Sequence, residues 1–117
     1  MRSIQFYRTE NNRSPVEEFL DSLPDKHAQK VAWVMRLVER LDRVPEQFFK
    51  KLVGTEHLWE IRSQIGGKSY RFLGFFDGPT LLIVTNAFAK KQQKTPPREI
   101  ALAEARRRDY LKRRGRS

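Results

Sequence analysis

Residues 56–76 read Glu-His-Leu-Trp-Glu-Ile-Arg-Ser-Gln-Ile-Gly-Gly-Lys-Ser-Tyr-Arg-Phe-Leu-Gly-Phe-Phe, and this stretch decides the fold. Two strand-like runs separated by Gly66-Gly67 predict a tight β-hairpin, because glycine adopts the backbone angles of such a turn without steric cost. A two-residue turn places Arg62 directly opposite Arg71 on one face of the sheet. Like charges that face each other across two strands are destabilising. The sequence therefore suggests that this face meets an anionic ligand.

The segment before the hairpin predicts one strand and two helices. Residues 3–8 have the pattern of a strand. Ser14 can cap a short helix that begins at Pro15, a residue favoured at the first helical position, and that ends near Pro24. Asp25 can cap a longer helix over residues 26–42. Its buried stripe recurs at intervals of three and four residues: Val31, Val34, Met35, Val38 and Leu41.

The segment after the hairpin predicts a third strand of the sheet and a last helix. Residues 81–88 are nearly continuously apolar, as in a strand that helices cover on one face and that is partly buried on the other. Thr95-Pro96-Pro97 begins a helix that runs to about residue 114. With residues 48–54 taken as a loop, the element order is β-α-α-β-β-β-α. We expect one α+β domain over residues 1–117, with an antiparallel sheet packed against the two N-terminal helices.

Composition excludes several classes of protein. No apolar run approaches the roughly 20 residues of a membrane-spanning helix, and no signal-peptide core follows the first residues. The chain has no cysteine and two histidines, so neither a disulfide, a metal centre nor a cofactor is expected. These features are typical of a cytoplasmic protein without membrane contact.

The net charge of +10 is unevenly distributed. Residues 1–61 carry ten basic and ten acidic side chains, whereas residues 62–117 carry fourteen basic and four acidic ones. A one-sided basic field attracts polyanions such as nucleic acid. The basic clusters at residues 106–108 and 112–114 are either a solvated tail or a partner-binding element.

Several short motifs occur in a characteristic order along the chain. They are Leu58-Trp59-Glu60-Ile61-Arg62, Tyr70-Arg71-Phe72, Ala87-Phe88 followed by Lys90-Lys91, Lys94-Thr95-Pro96, and Ala103 leading to Asp109-Tyr110. In this combination the chain resembles the RelE/ParE toxin superfamily, and more closely its HigB-like branch of phage-derived toxin-like proteins. Residues 1–53 add only their strand-helix-helix pattern to the resemblance.

The resemblance implies a compact RelE-like domain that acts as the toxin of a type II toxin–antitoxin pair. Such toxins are endoribonucleases that cleave mRNA, often on the ribosome, and in the HigB-like branch a helix-turn-helix antitoxin protein neutralises them. ParE-type relatives use the same fold to inhibit DNA gyrase, so fold alone does not decide function. The alternatives are therefore a gyrase inhibitor and a nucleic-acid-binding relative without chemistry.

For metal-independent RNA cleavage an enzyme must remove the proton of the 2′-hydroxyl, stabilise charge on the phosphate oxygens and protonate the leaving 5′-oxygen. Arginine binds phosphate through two hydrogen bonds and stays charged, so Arg62 and Arg71 are the candidate phosphate ligands. In the alternative interpretation these are surface arginines that form ion pairs with Glu60 or Glu56 and bind no phosphate. Lys90 and Lys91 are the further catalytic candidates, since neighbouring cations lower a lysine pKa. At most one of them shares the arginine face, and both can instead bind RNA backbone.

The substrate-binding candidates are Lys50, Lys51 and Lys94, the first two of which match a place where lysines take part in the wider family. The chain departs from that family in one respect. Some relatives carry a tyrosine or histidine near the chain end as acid or base, and residues 87–99 contain neither. We expect Tyr110 to be a packing residue and His57 a structural one.

The alternation of side chains along the hairpin also predicts which aromatic residues are core. Tyr70, Phe72 and Phe76 should share one face, under the second helix, and Phe75 should lie on the opposite face with Arg71. An exposed Phe75 or Phe88 would be the alternative, as a platform for a stacked base.

Overall fold

The sheet and helices follow the predicted order with one additional strand. The structure, a computed structural model that describes residues 1–115, contains these elements in chain order: β1 (Ser3–Phe6), α1 (Pro15–Asp21), α2 (Asp25–Arg40), β2 (Phe49–Lys51), β3 (Leu58–Ile65), β4 (Lys68–Asp77), β5 (Leu81–Ala89) and α3 (Pro97–Arg114). The α+β class is confirmed. The order is richer in strands than predicted, because Phe49–Lys51 forms a short strand where a loop was expected.

The five strands form one mixed sheet in the order β1-β5-β4-β3-β2. The prediction of an antiparallel sheet was wrong at one edge, because β1 pairs with β5 in parallel. These two strands are separated by most of the chain, so no local pattern identifies them as partners. The other edge was missed because β2 has only three residues. It is held by backbone pairing with β3, in which Lys50 lies opposite Glu60, and by stacking of Phe49 on Trp59.

The central hairpin has the predicted register. Arg62 lies opposite Arg71 in the antiparallel β3–β4 pair. Gly66 and Gly67 both have positive φ angles, of 53° and 78°, which explains why the turn requires glycine. Gly74 is required for a different reason. A Cβ atom there would lie 2.6 Å from the carbonyl oxygen of Ile83, at the bulge in the β4–β5 pair.

The two faces of the sheet carry separate hydrophobic cores. One core lies under α1 and α2 and contains the predicted aromatic face, including Tyr70 and Phe72, with Phe76 packed against it. The other lies under α3 and contains Phe75. The predicted assignment of these aromatics to opposite faces is therefore confirmed. Phe75 is fully buried, so it cannot stack a base.

The helix ends agree with the sequence signals except at α2. The Oγ atom of Ser14 accepts a hydrogen bond of 3.3 Å from the backbone N–H of Glu17, which confirms the cap of α1. Asp25 was expected to cap α2. Instead it is the first helical residue, and the capping position falls on Pro24, which has no side-chain acceptor. An acid in the first turn still favours the helix through its dipole.

The basic C-terminal segment is part of the folded structure through residue 115. The hydroxyl of Tyr7 donates to Asp109 over 2.5 Å, and that of Tyr110 donates to Asp77 over 2.8 Å. A terminal nitrogen of Arg106 donates to the carbonyl of Thr85 on β5. These contacts dock the helix on the sheet, whereas the side chains of Arg108 and Lys112 in the two basic clusters are exposed. The last two residues of the tail, 116 and 117, lie outside the described residues.

Among residues 1–115, no helix combines the length and apolarity needed to cross a bilayer. Within the same residues, no group of three or more histidine, aspartate or glutamate side chains is placed to hold a metal ion.

Candidate active site

The candidate site lies on the sheet face that α3 covers in part. Side chains alternate along a strand, so Glu60 and Arg62 of β3 point to the same face. The register adds Arg71 from β4 and Lys50 from β2 to that face. Lys90 follows β5 directly, and its backbone N–H donates to the carbonyl of Ser69 over 2.7 Å. Four neighbouring strands thus bring one acidic and four basic side chains together.

Glu60 lies between the two opposed arginines. Its Oε1 atom is 2.9 Å from Nε of Arg62 and 3.3 Å from Nε of Arg71. Its Oε2 atom accepts a 2.8 Å hydrogen bond from the hydroxyl of Thr95. Only 1% of the Glu60 side chain is exposed. The alternative in which the arginines pair with Glu60 is therefore present in the structure. The anion that offsets their repulsion comes from the chain itself, so the opposed charges alone do not require an external ligand.

Thr95 reaches Glu60 because the start of α3 is fixed to the sheet. The side-chain amide of Asn86, on β5, donates to the carboxylate of Glu99 over 2.9 Å and also contacts the carbonyl of that residue. Glu99 lies in the first turn of α3. The loop that carries Lys94 and Thr95 is therefore held over the strands that carry the arginines.

Both arginines keep donor groups for a ligand. Nη1 of Arg71 donates to Ser69 and to the carbonyl of Tyr70, and Nη1 of Arg62 contacts the carbonyl of Glu46. Within residues 1–115, neither Nη2 atom donates a hydrogen bond, and neither is among the buried atoms that lack a partner. The Nη2 groups of both arginines are thus not fully buried and are able to donate to an anion.

Nε of Arg71 is close to Glu60 but is not aligned for a hydrogen bond. It is one of two buried side-chain polar atoms in the described part of the chain that lack a hydrogen-bond partner. Burial lowers the pKa of Arg71 from its ordinary value; Glu60 opposes this shift and the charge of Arg62 adds to it. A guanidinium remains protonated despite such a shift. Arg71 is therefore a charged group that is held in a partly dry site.

The structure separates the two adjacent lysines that the sequence left equivalent. Burial is the largest cause that lowers the pKa of Lys90, and the charge of Arg71 lowers it further. Glu60 raises the same pKa and Arg62 lowers it, so Lys90 belongs to the arginine cluster. Lys91 is exposed and does not line the cleft described next.

A cleft of about 430 Å³ opens beside this cluster. We call it the basic cleft, and its lining residues are Lys50, Lys51, Leu52, Val53, Glu60, Arg62, Lys90, Gln93, Lys94, Thr95 and Ile100. Five of them are cationic and one, Glu60, is acidic. The cleft therefore attracts anions.

A second groove adjoins the basic cleft at Arg62. We call it the arginine groove, and it is lined by Lys30, Gln47, Phe48, Arg62, Gln64 and Arg71. The seven residues predicted for the site are thus divided in three ways. The basic cleft gathers Lys50, Lys51, Arg62, Lys90 and Lys94, the arginine groove adds Arg71, and Lys91 lies outside both.

Sequence reasoning missed Glu60 and Thr95 as members of the site. Glu60 appeared only as a possible partner of the arginines, although an acid two residues before Arg62 must share its sheet face. Thr95 was used only as the start of the last helix. Nothing in the sequence shows that this hydroxyl reaches back to β3, since the two residues are 35 positions apart.

The two other acid–base candidates lie away from the basic cleft. Tyr110 packs its ring against Phe75, with ring centroids 5.5 Å apart, and its hydroxyl binds Asp77. Its predicted packing role is confirmed. His57 lies at another surface groove, where Nε2 is 3.5 Å from a carboxylate oxygen of Glu56.

Comparison with known proteins identifies the family. Curated proteins include no significant match to the chain. A family model described as phage derived protein Gp49-like (DUF891) matches residues 18–108. The matched segment begins within α1, ends within α3 and contains every residue that lines the basic cleft. The chain therefore belongs to the Gp49-like family of phage-derived proteins, a family related to the RelE-type toxins of toxin–antitoxin systems.

Proposed function

We propose that this protein is the toxin of a type II toxin–antitoxin pair and that it cleaves mRNA without a metal ion, on the ribosome. The observation that carries the proposal is the cation cluster where the basic cleft meets the arginine groove: Lys90, whose pKa is lowered, lies near Arg62 and Arg71, and both arginines keep donor groups. This combination supplies two of the three things that RNA cleavage requires, a phosphate ligand and a proton donor, and the third is an acceptor for the proton of the 2′-hydroxyl.

The reaction we propose is internal transfer at phosphorus. The 2′-oxygen loses its proton to water in the open cleft and bonds to phosphorus, and the bond from phosphorus to the 5′-oxygen breaks. The free N–H groups of Arg62 and Arg71 stabilise the charge that develops on the phosphate oxygens. Lys90 donates a proton to the leaving 5′-oxygen. The products are a 2′,3′-cyclic phosphate and a 5′-hydroxyl.

The other cations of the cleft have a positioning role in this scheme. Lys50, Lys51 and Lys94 bind the phosphates that flank the scissile one, because an ammonium group acts as a point charge without the geometry of a guanidinium. Glu60 keeps Arg62 and Arg71 in place. Lys91 binds RNA backbone outside the cleft.

We further propose that the chain forms one domain over residues 1–117 and belongs to the HigB-like branch. Its partner is then a helix-turn-helix antitoxin protein, whose gene is expected beside that of the toxin. The support is the ordered set of motifs from Leu58 to Tyr110 together with the match to a toxin-related family.

Primer extension on cellular mRNA after brief induction tests the nuclease assignment. Wild type should produce new 5′ ends within minutes, and Arg71→Ala should produce none. Arg98→Ala is the matched control, because Arg98 is 86% exposed and lies outside both grooves. Intact mRNA with gyrase-linked DNA damage would instead support the ParE-type activity. RNA binding without cleavage in purified wild type would support the non-catalytic relative.

A further inference from the structure

An aromatic pair lies beside the arginine groove. Trp33 lies on α2 and is 42% exposed. Its ring lies 5.6 Å from that of Phe48, at an interplanar angle of 83°. Phe48 lines the groove, and its carbonyl accepts a 2.8 Å hydrogen bond from the backbone N–H of Arg62. A single exposed tryptophan is common on protein surfaces. Trp33 is informative because its ring contacts Phe48, whose backbone is hydrogen-bonded to Arg62, a candidate phosphate ligand.

The arginine groove has the charge that a nucleotide requires. Three of its six lining residues are cationic and none is acidic, and it contains Arg71, which the basic cleft lacks. Gln47 and Gln64 supply side-chain amides, which both donate and accept hydrogen bonds and therefore match the edge of a base. The groove thus combines phosphate ligands, amides and an aromatic surface.

Lys30 lies over the aromatic surface of Trp33. Its Nζ atom lies 4.9 Å from the centre of the Trp33 ring, and Lys30 also lines the groove. Base–aromatic stacking is stronger than a cation–π contact at an exposed site. A nucleobase can therefore compete with the ammonium group for the Trp33 ring, and the released ammonium group would be close to the adjacent phosphate.

We infer that the arginine groove is a nucleotide-binding subsite for single-stranded RNA, in which a base stacks on Trp33 while the neighbouring phosphate binds Arg62 and Arg71. The inference rests on the proposed function in assigning RNA as the substrate, and it places the strand across Arg62, the residue that the two grooves share. A strand that follows this course presents one phosphate to the basic cleft and the adjoining nucleotide to Trp33.

Binding of an uncleavable probe tests this subsite independently of catalysis. The probe is a short, fluorescein-labelled, single-stranded 2′-O-methyl RNA, which lacks the attacking hydroxyl. A second probe has the same backbone with abasic sugars. Trp33→Ala should weaken binding of the first probe by about fivefold or more, as expected for the loss of one stacked base. It should leave binding of the abasic probe unchanged.

Two variants and one spectroscopic signal complete the test. Trp33→Phe should bind the intact probe nearly as well as wild type, because it keeps an aromatic face. Leu102→Ala is the matched control, since Leu102 is a 39% exposed apolar residue on α3.

In wild type, the intact probe should quench tryptophan emission and the abasic probe should not. Trp59 contributes a constant background, because it is stacked on Phe49 and packed against the core.

The outcomes separate this inference from the nuclease proposal. Equal affinity of Trp33→Ala and wild type for the intact probe would overturn the subsite, even if wild type cleaves mRNA, and would leave Trp33 as a surface for a protein partner. An equal loss on both probes would also overturn it, because the tryptophan would then act on the backbone or the fold. A selective loss on the intact probe supports the subsite, even if purified wild type cleaves no RNA.

Discussion

The carboxylate of Glu60 lies 3.3 Å from Nε of Arg71, on the neighbouring strand, and is almost completely buried. It also contacts Arg62, so it is the counterion of both arginines. The two opposed arginines therefore do not destabilise the hairpin by repulsion alone. The buried carboxylate of Glu60 attracts both of them and offsets that repulsion. The three charges form one unit in which each holds the others in place.

Arg71→Ala should abolish mRNA cleavage and should also reduce stability. Repulsion between opposed cations alone would predict a gain in stability, but Arg71 is one of two counterions of a buried carboxylate. Its removal leaves Glu60 less compensated and costs about 1–3 kcal/mol. Urea denaturation measures the free energy of unfolding, with Arg98→Ala as the neutral control. A stability equal to that of wild type would contradict the counterion role.

Glu60→Gln should separate stability from RNA affinity. The amide oxygen still accepts from Nε of Arg62, so the side-chain geometry is kept, but three neighbouring cations lose their common counterion. We expect the free energy of unfolding to fall by about 1–3 kcal/mol. Affinity for single-stranded RNA should rise severalfold at low salt and should decrease more steeply as salt is added. Weaker RNA binding would show that the charge of Glu60 is needed to orient the arginines.

Lys90→Ala should be far more damaging than Lys91→Ala. Loss of a general acid reduces a rate by roughly 10²–10⁴-fold, whereas the exposed Lys91 contributes only backbone attraction. The pH profile gives an additional check. The pKa of Lys90 is lowered, so its protonated form disappears at a lower pH than for an ordinary lysine. Cleavage by wild type should therefore fall as pH rises through this lowered pKa. Similar rates for the two alanine variants would remove Lys90 from the mechanism.

Tyr110→Phe should lower stability without lowering cleavage. The hydroxyl donates to Asp77, and loss of such a bond costs about 0.5–1.5 kcal/mol. Burial, followed by the hydrogen bond and charge of Asp77, raises the pKa of Tyr110 above its ordinary value of 10.0. The stability that this bond contributes is therefore complete below pH 10 and is lost as pH rises through the raised pKa.

Thermal unfolding of wild type and Tyr110→Phe between pH 8 and pH 12, together with a cleavage assay at neutral pH, measures both effects. The two proteins should differ most below pH 10 and should converge above it. A loss of cleavage at unchanged stability would instead make Tyr110 an acid or base of the reaction.

The sequence by itself determined the central hairpin, because its signals are local. Two glycines fix the turn, and the alternation of side chains then fixes which residues share a face. The opposition of Arg62 and Arg71, and the burial of Phe72 and Phe75 in different cores, follow from these two facts. The cap at Ser14 and the prolines that begin α1 and α3 are equally local signals.

Only the tertiary structure decided the rest. The parallel pairing of β1 with β5 joins segments that lie far apart in the chain. The addition of β2 depends on packing of Phe49 on Trp59 more than on the propensity of three residues. The position at which β5 ends decides which of the two lysines joins the site. A shift of one residue would exchange the places of Lys90 and Lys91.

The most consequential contact is also non-local. Thr95 reaches Glu60 across 35 positions because the start of α3 is anchored to β5. The sequence offered both Glu60 and Glu56 as possible partners of the arginines, and packing of the strands decided for Glu60. The sequence therefore predicted the arginines as a pair, and the fold selected their counterion and formed the cleft beside them.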